Sequence, residues 1–139
     1  MKPHFLLSAF WKFLHCSGLL LSLGLMTSCE KEAGYGGTCT LKGKVLIQDY
    51  NSFGVLQDTF YGPDERVFIV YGDDDFYGDE IRTHYDGSFR FQNLYKGTYT
   101  VYAYSECDTC HMPEVPIKHT VTFTKEKETI VVPDLILRK

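Results

Sequence analysis

From Leu41 onward, apolar and polar residues alternate along the chain with period two. That is the spacing of a strand with one buried face. Residues 41–47 (LKGKVLI) predict a first strand and 66–71 (RVFIVY) a second, rich in β-branched and aromatic side chains. Residues 80–84 and 88–91 flank Tyr85-Asp86-Gly87, and Asp-Gly is a strong turn signal. Residues 98–104 (TYTVYAY) form the clearest strand, and 117–124 and 129–137 bring the set to about seven. Within them Phe89, Phe91, Tyr99, Val101 and Ala103 share an inward face, while Thr98, Thr100, Tyr102 and Tyr104 point outward. Phe68 and Val70 lie opposite Val67 and Ile69. No segment carries a helical stripe, so the expected fold is an all-β, Greek-key β-sandwich. Pro133 places the last run at an edge or a bulge.

The N-terminal third of the chain follows a different rule. Lys2 and Lys12 precede an apolar run over residues 13–26, 14 residues long, which suits a secretory signal core. A membrane-spanning helix needs about 20 residues. An uncleaved anchor reaching from Phe5 to Met26 would bury Lys12 in the bilayer at high cost. The run ends at Met26-Thr27-Ser28-Cys29, which resembles the bacterial lipobox, with Met26 in place of the usual leucine and a small Ser28 before the cysteine. The resemblance implies that residues 1–28 are removed and that Cys29 carries the lipid. The protein would then be membrane-tethered in the cell envelope, in the outer membrane, facing the periplasm or the surface. Residues 29–39, with Gly34, Gly36 and Gly37, read as the lipidated cysteine and a flexible tether, and residues 40–139 as the domain.

Charge narrows the partners. Of the 14 Lys and Arg, two precede residue 29, leaving 12 against 18 Asp and Glu, a formal charge of −6. Such a surface repels phosphate backbones, which excludes nucleic acid as the expected partner. All ten tyrosines lie after residue 34, and tyrosine suits contact surfaces.

Gly87, Phe89, Phe91, Leu94, Gly97, Tyr99 and Val101, with Leu41, Gly43 and Val45 in the opening strand, form a pattern of their own. It resembles the carboxypeptidase regulatory-like, or transthyretin-like, β-sandwich, which is close to the collagen-adhesin B-type repeat. The resemblance spans residues 40–137. It implies the sandwich and is nearly silent on function. The isopeptide chemistry of some relatives needs an acceptor Asn in the last strand, and no Asn follows Asn93.

Cys107-Asp-Thr-Cys110-His111 is the sharpest chemical motif. Cys-x-x-Cys-His is the attachment signature of c-type haem. A zinc site using Cys107, Cys110 and His111 with Cys39 or His119 is a second reading. The third, favoured in an oxidising compartment, is a local disulfide between Cys107 and Cys110. Pro113 and Pro116 remove the helix that a haem histidine or a thioredoxin-like thiol requires. Asp73, Asp74, Asp75, Asp79 and Glu80 form an acidic loop, a calcium candidate whose spacing lacks the glycine and final glutamate of an EF-hand. No metal or other cofactor is favoured, and no catalytic constellation stands out.

The expected function is therefore a non-enzymatic binding or structural accessory module. Its contact surface is Tyr102, Tyr104, Phe68 and Val70, and its partner a protein or a glycan. The alternative is a redox, metal or haem protein built on Cys107, Cys110 and His111.

Overall fold

The computed structural model describes residues 32–139. The signal segment, the lipobox and Cys29 lie outside the described residues. Nine strands follow in order: β1 (Tyr35–Tyr50), β2 (Leu56–Tyr61), β3 (Arg66–Tyr71), β4 (Asp79–Arg82), β5 (Ser88–Leu94), β6 (Gly97–Glu106), β7 (Glu114–Phe123), β8 (Thr129–Val131) and β9 (Leu135–Arg138).

They form two sheets packed as a β-sandwich. The first is organised around the long β1, whose N-terminal half pairs antiparallel with β5 and whose C-terminal half pairs antiparallel with β2. Its other edge takes β8 and then β9, both parallel. The second sheet runs β4-β3-β6-β7, antiparallel throughout.

The alternation read from the sequence is the alternation of burial. Tyr99, Val101 and Ala103 of β6 are fully buried, and Phe89 and Phe91 of β5 nearly so. They pack with Leu41, Val45 and Ile47 of β1, Val67 and Ile69 of β3, and Leu135 and Leu137 of β9. Each large side chain withdrawn from water contributes about 1.5–3 kcal/mol. The predicted Asp86-Gly87 turn is present: Gly87 has φ +73°, and its N–H donates to His84 O at 2.9 Å. A Cβ at Gly87 would meet the Val45 carbonyl and Gly62 N, so the turn also sets how closely β1 is approached.

Three boundaries differ from the sequence reading. The segment 35–39, expected as tether, is the start of β1, paired with Leu94. A side chain at Gly37 would collide with the Leu94 backbone, so this glycine serves close approach rather than flexibility. The Gly34 N–H donates to the Tyr99 hydroxyl at 2.9 Å, and that hydroxyl donates to Tyr95 O at 2.9 Å. The chain over 51–62, expected as a loop, contains β2. All six β2 residues are exposed, so no contrast between faces marks the strand, which is held by the β1 ladder and by contacts of Tyr61 with Asp134 and Lys44. Finally, the run 129–137 is two short strands that break at Pro133, whose missing N–H interrupts the ladder.

Candidate functional site

The outer face of the second sheet is built by alternation from β3, β6 and β7. Phe68 stands beside Tyr102, and Val70 beside Thr100, across the β3–β6 ladder. On the far side of β6, Tyr102 faces Lys118 and Tyr104 faces Pro116 of β7. Thr100 and Thr120 hydroxyls meet at 2.9 Å and Thr98 and Thr122 at 3.0 Å, forming two polar rungs on this face.

The rings cluster around Phe68. Tyr102 stacks on it with centroids 5.0 Å apart and planes 16° apart. Tyr77 meets it edge-on at 5.0 Å and Tyr104 at 5.7 Å. The Arg66 guanidinium lies over the same ring, 5.0 Å from its centroid. Phe68 is consequently only 5 % exposed, against 42 % for Tyr104. Phe68 is thus the floor of the cluster and not part of its outer surface, a correction to the expected contact set. Its cover comes from Tyr77, a loop residue whose position strand alternation does not report.

That loop is the acidic one. It leaves β3 through Gly72, at φ +57° with its N–H donating to Thr98 O at 2.9 Å, and returns through Gly78, whose N–H donates to Ile69 O at 2.8 Å. Asp73, Asp74 and Asp75 are exposed, and with Phe76 and Tyr77 they wall a groove of about 780 Å³. Its other side is Tyr102, Tyr104 and Lys118. The volume falls within the usual range of small-ligand sites. The acidic loop and the tyrosine surface, separate features in the sequence, are one site. Tyr77, Phe76, Arg66 and Lys118 are among the lining residues that sequence reasoning missed. The available signal was an aromatic pair directly after three aspartates.

The electrostatics divide the five acidic residues. Glu80 forms an ion pair with Arg66, and its hydrogen bond holds the guanidinium above its ordinary pKa. Asp79 Oδ1 accepts the Glu80 N–H at 2.8 Å. Asp73, Asp74 and Asp75 have no ion-pair partner among the described residues. Burial pushes the Tyr102 phenol above its ordinary pKa, with the neighbouring Tyr104 and Tyr77 adding to the shift.

The cysteine motif lies elsewhere, in the β6–β7 connection. Cys107 and Cys110 are joined as a disulfide, Cα atoms 5.5 Å apart, and Cys107 N–H donates to Pro113 O at 2.9 Å. Asp108 ties this loop to Arg138 of β9 at 2.6 Å, and His111 is exposed. Cys39 is a buried free thiol, donating to Lys125 O at 3.2 Å. Among the described residues, no three of His, Cys, Asp and Glu converge as metal ligands. His119, named above as an optional zinc ligand, has a buried Nε2 without a hydrogen-bond partner among the described residues.

No family model matches the chain. No curated protein matches it either. Among solved structures, the chain is similar to a crystal structure from Pseudomonas aeruginosa named a putative carbohydrate binding protein, with 16 % identity and a TM-score of 0.46 over 77 % of this chain and 92 % of that one.

Proposed function

We propose that this protein is a lipid-anchored, non-enzymatic binding module of the cell envelope, and that the groove between the acidic loop and the tyrosine face takes a glycan. The anchor reading rests on the lipobox-like segment ending at Cys29. The observation that carries the binding reading is the groove itself: three phenols gathered on a Phe68 floor, rimmed by carboxylates that have no ion-pair partner among the described residues.

The groove lies on a sheet face, where the backbone hydrogen bonds are already spent in the β3–β6–β7 ladders. A peptide strand gains its affinity chiefly from free main-chain groups at a sheet edge; here that edge is the outer side of β7, not the face that floors the groove. Recognition here must come from side chains. Aromatic rings suit the apolar C–H surfaces of a sugar, and phenols, threonine hydroxyls and carboxylates suit its hydroxyls.

The test is calorimetric titration of the full chain, purified in detergent, with a panel of oligosaccharides. Binding that falls at least tenfold in Tyr102→Ala/Tyr104→Ala, with the unfolding transition retained, supports the reading. A wild-type protein that binds no member of the panel overturns it.

A further inference from the structure

We infer that the groove selects a positively charged glycan, an amino-sugar oligomer with free ammonium groups, over neutral or acidic ones. This rests on the glycan reading above and deepens it. The charges at the groove do not cancel. Asp73, Asp74 and Asp75 stand on one wall without ion-pair partners among the described residues. The groove is also lined by two cations, Arg66 of β3 and Lys118 of β7. Arg66 is neutralised by Glu80, which leaves Lys118 alone against three carboxylates. A ligand entering from solvent therefore meets net negative charge, and a uronic acid would be repelled by the same carboxylates.

The rings point the same way. The negative face of an aromatic ring attracts a cation within about 6 Å of its centroid. The cluster already holds one: Arg66 lies 5.0 Å from the Phe68 centroid. Phe76, 82 % exposed on the acidic loop, and Tyr104, 42 % exposed on β6 across the groove, are further rings that line it. An ammonium on a sugar ring satisfies both features at once, because the apolar ring surface packs on a side chain ring while the charge meets aspartate. A neutral sugar uses only the first.

The inference is tested with the full chain in detergent, at mildly acidic pH and in about 0.05 M and about 0.5 M salt, conditions that weakly and strongly screen exposed charges. The probes are oligomers of equal length of glucosamine, N-acetylglucosamine and galacturonic acid, with tetralysine as a cation that is not a sugar. The expected order is glucosamine, then N-acetylglucosamine, then galacturonic acid. The first step is about tenfold at low salt and shrinks at high salt, the scale of a few exposed charge pairs. Asp73→Asn/Asp74→Asn/Asp75→Asn should weaken glucosamine binding by a larger factor than N-acetylglucosamine binding, so that the preference between the two is lost. N-acetylglucosamine binding as tightly as glucosamine, or a triple variant with unaltered preference, overturns the inference and leaves the glycan reading standing. Tetralysine binding as tightly as the glucosamine oligomer shows bare cation attraction and overturns it too. Failure to bind any of the sugars defeats the glycan reading itself.

Discussion

The two outer faces of the sandwich are made by the same alternation and end in opposite chemistry. On the β1 sheet, Lys42 and Lys44 of β1 lie beside Arg90 and Ser88 of β5. Lys44 pairs with Asp86 at 3.7 Å and sits over the Tyr61 ring at 4.4 Å. Arg138 pairs with Asp108 and covers the Tyr50 ring at 4.3 Å. On the β3–β6–β7 sheet the rings gather on Phe68, and the aspartates of the covering loop are left without counter-ions among the described residues. The lesson is that exposed aromatic and charged residues do not by themselves mark a site. Lys44 and Arg138 have found partners within the chain, and Asp73, Asp74 and Asp75 have none among the described residues.

The sharpest way to break this comparison is stability. Phe68 is nearly as buried as the inner core, whereas Tyr61 on the opposite face is 42 % exposed. Phe68→Ala should cost about 3 kcal/mol, close to the figure for Phe91→Ala. Tyr61→Ala should cost less than about 1 kcal/mol. Denaturant unfolding of the three variants measures this, and equal costs for Phe68→Ala and Tyr61→Ala would show that the aromatic cluster has no floor.

Binding is the next measure. The pair of tyrosine truncations at 102 and 104 should weaken glycan affinity about tenfold or more, as each aromatic contact contributes about 0.5–1.5 kcal/mol. A matched pair on the other face, Tyr61→Ala with Lys44→Ala, should leave affinity within about twofold, near the scatter expected away from a site. Equal losses from both pairs would remove the distinction between the faces.

How much of this was legible follows from what alternation reports. It tells which side of a strand a residue occupies, so the buried set on β5 and β6 and the outward tyrosines were readable from position alone. It does not tell what lies above the outward side. Position alone makes Phe68 a contact residue, because its cover, Tyr77, comes from a loop with no period. β2 leaves no signal, because a strand exposed on both faces has no contrast to read. The glycines at 34, 36 and 37 suggested a flexible tether, yet Gly37 is small because the Leu94 backbone passes where a side chain would be. The acidic loop and the tyrosines were each visible, but only the fold of β3 into that loop brings them to one groove.

Alkaline pH separates the faces through Tyr102. Its pKa in the folded protein is raised above the ordinary value of 10.0, first by burial and then by Tyr104. A group raised on folding contributes stability that is intact below its unfolded pKa and lost as pH rises through the folded one. Stability should therefore decline above about pH 10, the ordinary tyrosine range. Tyr102→Phe should lessen that decline, as followed by unfolding at stepped pH, while Tyr71 and Tyr99, also raised by burial, carry the remainder. An alkaline decline of the same slope in the variant would remove Tyr102 from the account.

The smallest effect lies at the acidic end and belongs to the other face. Asp86, in the β4–β5 turn, is held below its ordinary value of 3.8, first by the Ser88 hydroxyl and then by the Ser88 N–H, with Lys44 adding a weaker pull. Ser88 Oγ donates to Asp86 Oδ1 at 2.7 Å and Ser88 N–H to the same oxygen at 3.1 Å, while Lys44 Nζ is 3.7 Å from Oδ2. The sign is opposite to that of Tyr102. A depressed carboxyl gives stability that is present above its unfolded pKa and fades as pH falls through the folded one. The carboxyl is solvent-exposed, so the change in stability is small and the direct observable is the titration itself. Carboxyl-carbon NMR should show Asp86 titrating below the usual aspartate range. Ser88→Ala should return it further toward that range than Lys44→Ala does, because short hydrogen bonds to the charged form act more strongly than a screened ion at the surface. A larger shift from Lys44→Ala would mean that the lysine is spent on this carboxylate and not on the Tyr61 ring, and the face that now looks closed by several weak contacts would be held by one ion pair.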